Sequence, residues 1–225
     1  MTASAAAADP TAPAADRVGP ILDALAAALP DARIALEFAD RWQLLVATML
    51  SAQSTDARVN LVTPALFARF PDPAATAAAT QEELEGLIAT VGLFRSKARN
   101  VRAAAALIVE RHGGAVPGTM AELCALPGVA RKTANVVLAN GFDRSDGIAV
   151  DTHVGRLARR LGLSAGRDAV AVERDLMALV PSDRWLATSD LLIHHGRRTC
   201  HARRPDCGGC VIAAWCPSAA VGTSG

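Results

Sequence analysis

The chain has 225 residues, 51% of them hydrophobic, so it holds enough apolar material for a buried core and is not disordered as a whole. Aromatics are 4%, tyrosine is missing, and alanine, the best helix former, makes up about a fifth of the residues, which argues against an all-β fold. The net charge of +1 announces no polyanionic partner, and no apolar run reaches the roughly 18–20 residues of a membrane span.

Apart from Met1, residues 1–16 are Ala, Pro, Thr, Ser and Asp, and they read as a disordered tail; residues 218–225 read as a flexible C-terminal tail. Nothing resembles a signal peptide, since the first basic residue is Arg17 and Pro10 and Pro13 break the run before it. Ile21, Leu22, Leu25 and Leu29 share a helix face that Pro30 stops. Trp42–Leu50 is nearly all apolar and predicts a buried central helix, and Val59–Phe70 predicts another with Pro64 as a candidate kink. Thr80-Gln81-Glu82-Glu83 is a capping box opening Leu84–Val91, which Gly92 ends. Arg95–His112 reads as a long helix with Val101, Ala104, Ala105 and Ile108 on one face and a basic stripe of Arg95, Arg99 and Arg102 on another. A second capping box, Thr119 to Glu122, opens a short helix to Ala125, in which the isolated Cys124 reads as a small buried hydrophobe. Pro127 and Gly128 then turn the chain into a helix reaching about Asn140. Ala130 is placed in that helix's first turn, where Gly in its stead would cost about 0.5–1 kcal/mol. Asp151 can cap a helix with Val154, Leu157, Ala158 and Leu161 on its inner face, and two more helices follow at about 167–180 and 185–198. No strand pair or repeat is visible: the fold class is all-α with a cysteine-bound appendix.

Three constellations carry chemistry. Cys200-x6-Cys207-x2-Cys210-x5-Cys216 places four thiols in one short segment and calls for a soft metal; spacing alone leaves structural zinc and a [4Fe–4S] cluster both open. Leu126-Pro127-Gly128-Val129-Ala130-Arg131-Lys132 joins two helices by a tight turn, which is either an ordinary corner or a set of free backbone N–H groups for a phosphate. Among 23 basic residues only Lys97 and Lys132 are lysines. A lysine retained in an arginine-rich chain suits chemistry that guanidinium cannot perform, such as Schiff-base formation, with chance as the plain alternative. In Val150-Asp151-Thr152-His153, Asp151 reads first as a helix cap. A helix from Ala130 to Asn140 recedes from Lys132 by roughly 16 Å at 1.5 Å per residue, and the return over 141–150 can span about 33 Å. Asp151 can therefore return beside Lys132, making a partly buried amine–carboxylate pair.

Taken in order, LLVATMLSAQSTD at 44–56, VGLFRSKA at 91–98, LPGVARKTANVV at 126–137, VDTH at 150–153, HGRRTC at 195–200 and the four-cysteine loop resemble endonuclease III, a bifunctional DNA glycosylase/AP lyase family of the helix–hairpin–helix superfamily. The resemblance spans about residues 16–217. It implies a six-helix barrel domain with the helix–hairpin–helix at 34–144. A second, iron–sulfur cluster domain is implied at 17–33 and 145–217, with a [4Fe–4S] cluster on Cys200, Cys207, Cys210 and Cys216. It implies Lys132 as nucleophile at C1′ of a damaged nucleotide and Asp151 as the catalytic carboxylate. Gln53 would fill the vacated stack and Leu93 would wedge into the opposite strand. Gly128, Ala130 and Arg131 in the hairpin, together with His153, would contact phosphate, as would Arg203 and Arg204 on the cysteine loop. The implied partner is double-stranded DNA with a damaged base or abasic site, bound in the cleft between the domains. The protein would be a bacterial monomer in the cytoplasm at the nucleoid, away from membranes. The implied activity is removal of oxidised pyrimidines through a lysine Schiff base, followed by β-elimination 3′ to the lesion. A monofunctional mismatch or adenine glycosylase, or a non-catalytic Cys-loop DNA-binding module, are the alternatives. The chain departs from the family pattern at Ala130, where the hairpin has a second Gly, and at Phe94, where relatives often have Tyr.

Overall fold

The structure, a computed structural model, describes residues 8–219. The first seven residues of the N-terminal tail and residues 220–225 of the C-terminal tail lie outside the described residues. Among the described residues there are α-helices and two short 3-10 turns, Ser182–Arg184 and Ala213–Trp215, and no strand. The chain divides into two compact units, Ile34–Asp146 and, separately, the residues up to Arg33 joined to those from Gly147.

The unit Ile34–Asp146 holds α2 (Arg41–Ser51), α3 (Asp56–Arg69), α4 (Pro73–Ala78), α5 (Gln81–Ile88), α6 (Phe94–His112), α7 (Met120–Cys124) and α8 (Arg131–Phe142). Helix α2 is the predicted central helix: every residue from Leu44 to Leu50 is buried, and it packs against α3, α6 and α8. Truncating such a buried leucine to alanine costs about 2–5 kcal/mol, so this helix holds the frame for whatever its ends carry. The capping box forms as predicted: Thr80 Oγ accepts from Glu83 N–H while the Glu83 carboxylate accepts from Thr80 N–H. Helix α5 stops at Ile88, short of the predicted Val91. The second box closes only halfway, because the Glu122 carboxylate takes the Thr119 hydroxyl at 2.6 Å rather than the backbone N–H. Cys124 is exposed, not buried, since Leu123 takes the inward position of the short α7.

The other unit holds α1 (Ala14–Ala28), α9 (Thr152–Arg160), α10 (Ala169–Leu179) and α11 (Trp185–Arg198), around a core that includes Ile21, Leu22, Leu25, Leu157, Leu176 and Leu192. The N-terminal tail ends earlier than its composition predicts. Helix α1 starts at Ala14, and buried Arg17 donates to the carbonyls of Ala12, Leu161 and Trp215 at 2.8, 2.6 and 2.8 Å. Three carbonyls around one buried guanidinium fix residues 12–17 against the cysteine segment. No helix among the described residues is long and apolar enough to cross a membrane.

Candidate functional site

In the unit Ile34–Asp146, the residues singled out by sequence fall on three loops. Gln53 lies in the link between α2 and α3, and Leu93 caps α6. Both are exposed, and both take the left-handed backbone conformation, φ 55° and 59°. A non-glycine residue held there stores about 1–3 kcal/mol of strain, and such strain clusters where function requires a particular pose. Leu93 is 59% exposed although it is a large hydrophobe. The turn between α7 and α8 places the positive φ at Gly128 (φ 78°), where a Cβ would come within 2.8 Å of Asn100 Nδ2 and 2.9 Å of its Cβ. Glycine is required there on both counts. Arg131 and Lys132 follow in the first turn of α8, both exposed. Lys132 is thus not the partly buried amine that the chain-length argument anticipated.

Ala130 is not helical. It is the N-cap of α8 in extended conformation (φ −89°, ψ 167°) and offers no side-chain acceptor, so the first-turn N–H groups of α8 lack a side-chain cap. This reverses the expected effect of glycine at 130. As an N-cap, Gly is better than Ala by about 0.5–1 kcal/mol. Ala130→Gly is expected to raise the melting temperature by about 1–4 °C in calorimetry, with DNA affinity changed less than about threefold because the backbone is already extended.

In the other unit, Asp151 caps α9 as its spacing predicts. One oxygen, Oδ1, accepts from the backbone N–H of His153 and of Val154, each at 2.8 Å, which leaves Oδ2 for a second partner. His153 Nδ1 lies 3.1 Å from Arg156 Nη2. The Gly196 backbone also hydrogen-bonds the ring, so this histidine joins α9 to the backbone of α11. Burial pulls His153 below the ordinary histidine value; Asp151 opposes this, and Arg156 and Arg197 add to it. The same Arg156 nitrogen also donates to the carbonyls of Gly196 and Cys200 at 3.0 Å. A Cβ at Gly196 would lie 3.0 Å from both His153 Nδ1 and Arg156 Nη2, so the glycine lets α11 approach α9 closely enough to make these bonds.

Cys200, Cys207, Cys210 and Cys216 all line one cavity of about 70 Å³, together with Arg160 and His195. One water-sized sphere needs only roughly 10–15 Å³. Four thiols lining one space are the donor set that a [4Fe–4S] cluster takes. Burial raises the thiols of Cys210 and Cys216 above their ordinary value, and the neighbouring cysteines push the same way, as expected of a thiolate set built for a cation. Arg160 braces the segment: Nη1 donates to Cys200 Sγ at 3.2 Å and to His201 O at 2.7 Å, and Nη2 to Ala202 O at 2.7 Å. His195 Nε2 lies 3.5 Å from Cys210 Sγ. Arg203 and Arg204, which directly follow the clamped Ala202, are exposed. Sequence reasoning missed Arg17, Arg156 and Arg160. The i, i+4 spacing of the last two on α9 is the only local signal they leave.

A family model described as HhH-GPD superfamily base excision DNA repair protein matches residues 46–182, and one described as the iron-sulfur binding domain of endonuclease III matches residues 200–216. Endonuclease III of Synechocystis sp. is 54% identical over 190 residues, 84% of this chain and 87% of its own. That of Bacillus subtilis is 43% identical over 196 residues, 87% of this chain and 89% of its own. Two solved structures, a trapped endonuclease III–DNA covalent intermediate and a non-covalent endonuclease III–DNA complex, are each 40% identical. Each superposes with a TM-score of 0.87, covering 92% of this chain and 97% of its own. A thermostable thymine-DNA glycosylase shares the fold at 19% identity, with a TM-score of 0.82. Matched over most of its length, the chain belongs to the HhH-GPD superfamily of base excision DNA repair proteins, in the endonuclease III family: it is a DNA-binding glycosylase with AP lyase activity that carries a [4Fe–4S] cluster.

Proposed function

We propose that the protein excises oxidised pyrimidines from duplex DNA and cleaves the strand 3′ to the lesion, with Lys132 as the nucleophile and Asp151 as its carboxylate. The observation that carries this is the contrast between the chain's two lysines. Lys97 is buried and its ammonium is engaged by Leu50 O and Ser54 Oγ, whereas Lys132 is exposed at the start of α8, directly after the hairpin. A Schiff base needs an accessible primary amine, and a relative 40% identical to this chain has been captured as a covalent intermediate with DNA.

The Lys132 amine, its proton taken up with help from Asp151 Oδ2, attacks C1′. The base departs with the electron pair of the glycosidic bond and gains a proton. The aminal opens to an iminium at C1′, which acidifies the C2′ proton, and loss of that proton expels the 3′ phosphate. Gln53 and Leu93 are pre-set in strained conformations: Gln53 fills the stack that the extruded nucleotide leaves and Leu93 wedges into the opposite strand; extrusion costs a few kcal/mol and less for a damaged base. Phosphates are received by the hairpin N–H groups about Gly128, Ala130 and Arg131, by His153, and by Arg203 and Arg204. The cluster supplies no step in this scheme, since its four cysteines fill its coordination; it shapes the loop that carries the two arginines. We place the active species as a monomer acting at the nucleoid in the bacterial cytoplasm.

Borohydride trapping tests the reading. Duplex DNA carrying an oxidised pyrimidine should yield a covalent adduct, and without borohydride a nick 3′ to the lesion. Excision without an adduct would point to a monofunctional glycosylase, and binding without excision to a DNA-binding module. The arginines are tested separately: Arg203→Ala with Arg204→Ala should weaken binding to all duplexes about equally and reduce the salt slope of log Kd by up to about 2. An unchanged slope would leave both side chains facing solvent.

A further inference from the structure

Lys97 is the lysine that this chemistry does not use, and it is only 6% exposed. Its Nζ donates to Leu50 O at 2.7 Å and to Ser54 Oγ at 3.1 Å. Ser54 Oγ in turn accepts from Gly92 N–H at 3.1 Å. Leu50 belongs to the last turn of α2, Ser54 to the link into α3, and Gly92 to the link into α6. One buried ammonium therefore ties three backbone segments together, and it also faces the negative end of the α2 dipole. The bonded residues are the immediate neighbours of the two strained ones: Gln53 precedes Ser54 and Leu93 follows Gly92. The two loops also touch directly, since a Cβ on Gly92 would lie 3.1 Å from Gln53 O and 3.4 Å from Ser54 Oγ. Two exposed non-glycine residues stay left-handed only where their surroundings over-determine them, and the Lys97–Ser54–Gly92 chain of bonds is such a restraint.

We propose that Lys97 is a positioning residue that locks the Gln53 and Leu93 loops into one two-pronged wedge, so that both side chains enter the base stack together and keep the target nucleotide extruded. The proposal rests on the insertion reading of Gln53 and Leu93. It gives the second lysine a role that arginine would not fill, because a compact ammonium places two donated bonds from one atom in a closed space.

The test uses Lys97→Met, which keeps the aliphatic stem and removes the donors, and Ser54→Ala, which breaks the relay without touching the lysine. Three quantities are read on the folded holoenzyme: the single-turnover excision rate at saturating enzyme, the fluorescence of 2-aminopurine placed opposite the lesion, and the Kd for undamaged duplex. Each variant should slow excision by about tenfold or more, the scale on which small misplacements act. Each should remove the fluorescence rise on binding and leave the Kd for undamaged duplex within about twofold. The double variant should be no slower than Lys97→Met, since both residues belong to one network. A purely structural lysine would lower the melting temperature and the active fraction, yet leave rate and fluorescence per active molecule at wild-type values, and that result overturns the proposal. If Lys97→Met does not fold, Ser54→Ala decides by the same criteria. Leu93→Ala separates the two readings. If it leaves rate and fluorescence unchanged, the insertion reading falls and this proposal with it. If it lowers both while Lys97→Met and Ser54→Ala lower neither, the wedge-locking role alone is overturned.

Discussion

Lys132→Gln is expected to abolish the borohydride-trapped adduct on an abasic duplex and to lower strand cleavage by roughly 10³-fold or more, the scale of losing a nucleophile. The fold should not suffer. Lys132 is exposed in the first turn of α8, glutamine has nearly the same helix propensity, and surface substitutions cost within about 0.5 kcal/mol. Affinity for abasic DNA should stay within a few-fold, because the hairpin backbone and its neighbours are untouched. Lys132→Arg should fail in the same way, since guanidinium keeps its proton and cannot attack C1′. A gel of trapped complexes alongside a binding isotherm measures both quantities. Wild-type cleavage by either variant would remove Lys132 from the chemistry.

Asp151→Asn is expected to slow base excision by about 10²- to 10⁴-fold while the protein folds and binds DNA as before. The two carboxylate oxygens of Asp151 divide the work. Oδ1 accepts both capping bonds at the start of α9, and an asparagine carbonyl oxygen can accept the same two. What the substitution removes is the negative charge and Oδ2, the oxygen that the cap does not use. Single-turnover kinetics with a melting curve separate the roles: a collapse of the melting temperature with normal chemistry per folded molecule would make Asp151 a cap and nothing more. Asp151→Ala makes the complementary case, since it should lose the cap, about 0.5–2 kcal/mol, as well as the charge.

Much of this protein was legible along the chain because the relevant physics is local. The apolar run Trp42–Leu50, the box at Thr80–Glu83, the cap at Asp151 and the four closely spaced cysteines each depend on residues within one or two helical turns, and each appears in the structure where its spacing places it. Lys132 was visible by counting as one of only two lysines, and the order of the motifs identified the family.

Other features depend on partners that no window of sequence contains. Lys97 and Lys132 were equal candidates as letters; only burial and a bond from Lys97 to a carbonyl 47 residues away made one a restraint and left the other exposed. Arg17, in a stretch read partly as tail, is buried by carbonyls up to 198 residues distant. Arg156 and Arg160 brace the cysteine segment from α9 across 40 residues and more. Ala130 became an extended cap, and not a helical residue, because Gly128 takes the positive φ over Asn100 and the helix begins one residue later. The left-handed conformations of Gln53 and Leu93 are unfavourable locally and persist only through contacts between loops 40 residues apart. Periodicity and capping are written within a few residues and can be read there; strain and buried charge are stabilised by the whole fold, and so only the fold reveals them.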